Sequence, residues 1–217
     1  MNKVTNRNVW YVLFGSMLTV VLAGCSVMTP TIAATLQSPT ATPPFIHYTP
    51  SETSNIHLEF DYPGSWVFSE EKIQDTDILV VGLGDPRLLT VPTRAPDEPH
   101  GTPSDFGRIS IWIQPVNNNE TLDILVDMYK QGHSNVSWIK PLNEYQITID
   151  GYDAQVLDYQ IEPSDDNGYI SLMFERNIFF TIKDQMYQIT FTVAEQERGG
   201  EFEKGYEYFL NSLKVVP

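Results

Sequence analysis

Apolar residues recur at every second position through much of the chain after residue 55, and that period decides what the chain can fold into. Ile56, Leu58, Phe60 and Tyr62 lie on one side of such a run, opposite His57, Glu59 and Asp61. Ile109, Ile111 and Ile113 oppose Ser110, Trp112 and Gln114, and Tyr145, Ile147 and Ile149 alternate with Gln146 and Thr148. Leu157, Tyr159 and Ile161 share a side. Ile170, Leu172 and Phe174 run on in phase to Ile178, Phe180 and Ile182, and Tyr187, Ile189, Phe191 and Val193 follow. Successive side chains of a strand point to opposite faces, so this is the pattern of half-buried β-strands. The denser run 78–83 reads as an inner strand. Asp150-Gly151, Ser164–Gly168 and Lys183-Asp184-Gln185 are short polar turns. Strands joined so closely run antiparallel, and residues 143–194 are expected to form a meander.

Two stretches carry the helical period instead. Leu122, Leu125, Val126 and Tyr129 fall on one helical face, with Asn118 or Asn119 as the expected cap and Gly132 as the expected stop. Phe202, Tyr206, Phe209, Leu210 and Leu213 line a second helix that opens with Glu201 and Glu203. Gly205 inside it weakens a free helix by about 1 kcal/mol relative to Ala. Strands, a helix, a meander and a closing helix predict an α+β fold: an antiparallel sheet with helices packed on it.

The N-terminus has another character. Lys3 and Arg7 precede an apolar run from Val9 to Leu22, and Leu22-Ala23-Gly24-Cys25 closes it. A basic start, a short apolar stretch and a small-residue exit are the marks of an export signal, and the run is shorter than the roughly 20 residues of a spanning helix. The tetrad resembles the bacterial lipobox. That resemblance implies cleavage between Gly24 and Cys25 and a diacylglycerol thioether on Cys25, the chain's one cysteine. Two or more acyl chains anchor stably where one does not. Residues 25–54 are rich in Thr, Pro and Ser and read as a disordered tether, leaving 55–217 as the folded domain.

Charge narrows the partners. Against 13 Lys and Arg stand 28 Asp and Glu, a formal charge of −15, and loss of a signal holding Lys3 and Arg7 deepens it. Nucleic-acid binding rests on Lys and Arg neutralising phosphates, so nucleic acid is excluded as a partner, and an anionic lipid surface is disfavoured.

Several short patterns form a family resemblance. Phe60-Asp61-Tyr62-Pro63-Gly64-Ser65-Trp66 is similar to the F-x-Y-P-x-x-W opening of PsbP-like domains, the superfamily that includes the PsbP and Ran-binding Mog proteins. Asp150-Gly151-Tyr152-Asp153-Ala154 resembles the family's hairpin, Tyr187–Phe191 its late strand, and Phe209-Leu210-Asn211-Ser212-Leu213 its closing helix. The resemblance spans 56–216 and implies an antiparallel sheet with helices on both faces. The second face of that sheet carries small polar residues, among them Ser110, Thr148, Thr190 and Thr192, and is expected to be only partly covered. Family members are mostly binding or assembly factors; neither a photosystem role nor Ran binding transfers, because fold does not fix function.

No nucleophile elbow, phosphate loop, zinc-protease helix or Cys pair occurs in the sequence. No catalytic residue and no cofactor is expected. His57, Glu59 and Asp61 share a strand face and are the candidates for a divalent cation. Asp85 to Asp105 holds five prolines and no period. Stretches of that length are usually either functional or disordered, so this one reads as a recognition loop, with Arg87, Leu88, Leu89, Arg94 and His100 as candidate recognition residues, or as a tolerated surface insertion. These features together predict an exported, lipid-anchored, non-enzymatic binding or assembly module at the outer face of the membrane, with a protein partner in the envelope. The alternatives are a small-ligand or divalent-cation binder and, behind it, a hydrolase.

Overall fold

A computed structural model describes residues 44–51, 56–90, 106–116, 120–164 and 171–216. Ten strands, two α-helices and two 3-10 turns make it up. In chain order the strands are β1 Phe45–Tyr48, β2 Leu58–Pro63, β3 Val67–Lys72, β4 Leu79–Gly84 and β5 Arg108–Pro115. Helix α1, Leu122–Ser134, precedes β6 Ile139–Ile149, β7 Tyr152–Ile161, β8 Met173–Ile182 and β9 Gln185–Ala194. Helix α2, Glu201–Ser212, and β10, Lys214–Val215, close the fold.

The strands form two sheets. Seven of them run in the order β3-β4-β5-β9-β8-β7-β6, and every neighbouring pair is antiparallel. The expected meander is the β6–β9 half, entered four residues earlier than the alternation suggests. Pro141, which cannot donate to a ladder, stands at a register shift on the edge strand β6, a place where proline is tolerated. At the β6–β7 turn Asp150 and Gly151 both have positive φ, 46° and 88°, the conformation that a two-residue hairpin turn requires.

The second sheet, β1-β2-β10, has three strands. Its β1 begins at Phe45 and pairs with β2 from Phe45↔Pro63 to Tyr48↔Phe60, so the folded body starts ahead of the expected boundary at 55 and takes in the end of the expected tether. A four-residue strand is too short a run to show a period. Tyr48 stacks on Phe60 at 4.6 Å and donates to Glu70 at 2.9 Å, which ties β1 across β2 to β3.

Alternation sorts the large sheet into two faces. Val81, Leu83, Ile109, Ile111, Ile113, Phe174, Ile178, Phe180, Tyr187, Ile189 and Phe191 are buried on one face. Helix α2 and strand β2 cover it with Phe202, Tyr206, Phe209, Leu58 and Phe60, and Phe209 meets the Phe60 ring edge-on at 5.1 Å. The second face packs Leu157, Tyr159, Phe179 and Met186 against Leu125 and Val126 of α1. Helices therefore lie on both faces, and among the described residues α1 covers its face in part: Ser110 and Trp112 of β5 are half-exposed, whereas Thr192 of β9 is buried.

The ends of α1 differ from expectation. Its cap is Thr121, whose hydroxyl accepts the Ile124 N–H at 3.4 Å, two residues beyond the asparagines. Gly132 does not stop it. The helix runs on past Gly132 because His133 stacks on Tyr129 at 4.0 Å and on Tyr159 at 5.6 Å, adding aromatic contact where a frayed end would have none.

Helix α2 explains two of the family-like patterns. A Cβ on Gly205 would meet the indole of Trp66 at 2.5 Å and Pro63 at 3.2 Å, so this position is a close approach between helix and turn. Ser212 accepts the Asp61 N–H at 2.8 Å and donates to the Phe209 carbonyl at 2.8 Å, which locks the helix end to β2.

Candidate functional site

Strands β4, β5 and β9 meet at one side of the large sheet. There the chain leaves β4 at Asp85, makes a 3-10 turn over Pro86–Thr90 and returns through Phe106 and Gly107 into β5. The 3-10 turn Glu195–Glu197 and the start of α2 face it. Asp85, Arg87, Glu197, Gly200, Glu201 and Phe202 line an open cleft of about 410 Å³.

Arg87 is the centre of this corner. Its Nε and Nη2 donate to the two oxygens of Asp85 at 2.9 and 2.6 Å, and Nη1 and Nη2 donate to those of Glu197 at 2.8 and 2.8 Å. Its guanidinium also lies 4.5 Å from the centre of the Phe106 ring. A planar fork meeting two carboxylates edge-on is the strongest geometry that an arginine has. Burial by itself pushes the Asp85 carboxyl up, but hydrogen bonds and charge from Arg87 outweigh it and hold the group below the ordinary aspartate value. Bonds to Glu197 and Asp85 in turn hold Arg87 ionised.

The predicted recognition residues separate here. Arg87 is committed to two carboxylates, so it holds the root of the 85–105 stretch and does not extend toward a partner. Leu88 packs its Cδ1 against Gly84, where any Cβ would collide with it, and so also holds the root. Leu89 lies in the 3-10 turn. Arg94 and His100 lie outside the described residues, as do Gly24 and Cys25.

The cation candidates gather in another way. Glu59 and Asp61 share the outer side of β2, and the third group beside them is His47 from β1: Nδ1 lies 2.7 Å from Asp61 Oδ1 and Nε2 lies 3.8 Å from Glu59 Oε2. His57 is tied into the body through its backbone, donating to the Tyr187 hydroxyl at 2.9 Å and accepting from Val216 N–H at 3.0 Å. Among the described residues no group of three His, Cys, Asp or Glu side chains converges as a metal site. His47 and Asp61 form a hydrogen-bonded pair across β1 and β2.

Sequence reasoning missed one buried polar feature. Asp158 on β7 is 3% exposed and receives Arg176 of β8 in a bidentate pair at 2.8 and 3.1 Å. The buried Tyr206 hydroxyl lies within the electrostatic reach of this pair: burial raises its pKa, while Arg176 acts to lower it. The register could have exposed the pair: Asp158 and Arg176 stand opposite each other on the core face, where the alternation otherwise places apolar residues.

No protein-family model matches the chain, and no curated protein does. Solved structures do. The cyanobacterial PsbP (CyanoP) of Synechocystis sp. PCC 6803 matches over 84% of this chain and 98% of its own, with a TM-score of 0.52 and 15% identity. LpqN, involved in cell envelope biogenesis of Mycobacterium tuberculosis, matches over 80% and 92%, with a TM-score of 0.51 and 10% identity. The Ran-binding protein Mog1p of Saccharomyces cerevisiae matches over 80% and 96%, with a TM-score of 0.47 and 9% identity. The chain has the PsbP-like fold, as its short sequence patterns imply.

Proposed function

We propose that this protein is an exported lipoprotein, anchored through Cys25 at the outer face of the membrane, that works as a non-enzymatic binding or assembly module for a protein partner in the envelope. The fold supports a binding role, since it is shared with LpqN, which takes part in cell envelope biogenesis. The N-terminal pattern supports the anchor. No helix among the described residues is long and apolar enough to cross a membrane.

The observation that carries the recognition part is the Arg87 clamp. It pins the point from which residues 91–105 depart against Glu197 and the start of α2, beside an open cleft. Binding residues are disproportionately found on segments that a rigid scaffold positions. Capture of partners by the full chain from solubilised envelope tests this, beside a variant lacking residues 91–104 that keeps Arg87. A protein captured by the first and lost with the second is expected. Equal capture by both would take recognition away from this stretch.

A further inference from the structure

The two edges of the seven-stranded sheet are built differently. Strand β3 has six residues, and its last four, Ser-Glu-Glu-Lys, are all exposed. A short, charged edge resists pairing with another chain. Strand β6 has eleven residues, most of them exposed, and among the described residues it pairs only with β7. Its register shift lies between Pro141 and Asn143, so the ladder runs without interruption from Asn143 to Ile149. That stretch holds one charge, Glu144, and Lys130 neutralises it at 2.9 Å. Beyond the shift, Lys140 is paired with Glu162. A long, regular and locally neutral edge whose outer backbone groups are unpaired in the sheet is a template for one more strand.

We propose that a second copy of this chain supplies that strand, with β6 pairing antiparallel to β6 of its partner about a two-fold axis at Gln146. The regular stretch 143–149 has Gln146 at its middle, so this register is the longest that the edge allows. It sets Tyr145 of each copy opposite Ile147 of the other, twice, on the core side of the sheet. Tyr145 is 39% exposed, and an aromatic against a β-branched residue is a favoured cross-strand pair. It sets Glu144 opposite Thr148, so no like charges face each other. The net charge of −15 opposes association at long range, but salt screens charges more than about 8 Å apart, and the edge itself is balanced. Seven residue pairs make a small interface, and the proposed anchor, on which the strength but not the register of pairing rests, would supply the local concentration.

The register makes the test specific. Residues facing each other across an antiparallel pair have Cα atoms about 4.5–5.5 Å apart, within disulfide range, whereas residues offset by four positions are far outside it. Gln146→Cys, Glu144→Cys and Thr148→Cys are made in the full chain, left in the membranes of the producing cell and exposed to mild oxidation, with peptide mapping of the linkage. A 146–146 disulfide from Gln146→Cys is expected, with none at 144–144 or 148–148. Equal cross-linking at all three positions overturns the proposal, as does a Gln146→Cys variant whose introduced thiol is reactive yet stays monomeric. A monomeric Gln146→Cys variant whose introduced thiol is unreactive also overturns it, since another partner then occupies the edge. Dimers of the unmodified chain through Cys25 would refute the anchor instead, and mapping separates them from a 146–146 linkage.

Discussion

At the scale of single residues, Gly205 and Arg87 reverse what their types suggest. In a free helix, Gly205→Ala stabilises by about 1 kcal/mol. Here the methyl would enter the space of the Trp66 indole, 2.5 Å away, and overpacking costs about 1–3 kcal/mol. The substitution is expected to leave the protein less stable by roughly 1 kcal/mol in urea unfolding; a gain would mean that the indole moves aside freely. Arg87 gives a pH dependence. The Asp85 carboxyl titrates below its unfolded value, so its contribution is complete above the ordinary carboxylate range and is lost as pH falls through the lower folded value. Arg87→Met is expected to lower stability at neutral pH by about 1–2 kcal/mol, the range of charged hydrogen bonds discounted for solvent. The deficit should shrink below about pH 4, the ordinary carboxylate value. A deficit that stays constant with pH would mean that the clamp is packing and not charge. The sequence marked Arg87 as a recognition residue, and its role at the root was not legible there. Its partner Asp85 is two positions away, but Glu197 is 110 away, and nothing local marks that pairing.

At the scale of elements, period and length decided what could be read. Strands of eight to ten residues alternate long enough to declare themselves, and β5, β7, β8 and β9 lie where the alternation puts them. The three-stranded sheet was not legible, because β1 has four residues and β10 two. Each is a strand only because β2 offers an edge to it. The ends of α1 were misplaced for two reasons: Asn118, Asn119 and Thr121 are all acceptable caps, so local preference does not choose among them, and the His133–Tyr129–Tyr159 stack joins the helix end to a residue far off in sequence. The value of β1 can be measured. A chain starting at Ser51 loses the β1 ladder and the Tyr48–Phe60 stack, whereas one starting at Pro44 keeps them. The shorter form is expected to melt several degrees lower, since about 1 kcal/mol shifts Tm by roughly 2–4 °C in a domain of this size. Equal Tm values would make β1 an adherent strand that contributes no stability.

At the scale of the whole molecule, the chain divides into an address and a body. The body was largely readable, since an antiparallel sheet with a helix on each face follows from two periodicities and short turns. The candidate site was readable in position but not in detail. The 85–105 stretch stands out by its prolines, yet the cleft at its root is assembled from the end of β4, the turn after β9 and the start of α2 together. The address rests on four residues. The most direct test is the fate of Cys25, because the partner, the outer face and the local concentration all presuppose its lipid. Cells producing the full chain, and the Cys25→Ala variant beside it, would be labelled with a palmitate analogue and fractionated. Label and membrane association are predicted in the first, both lost in the second. Unlabelled protein in both, or membrane association that survives the substitution, would contradict a lipid anchor at Cys25.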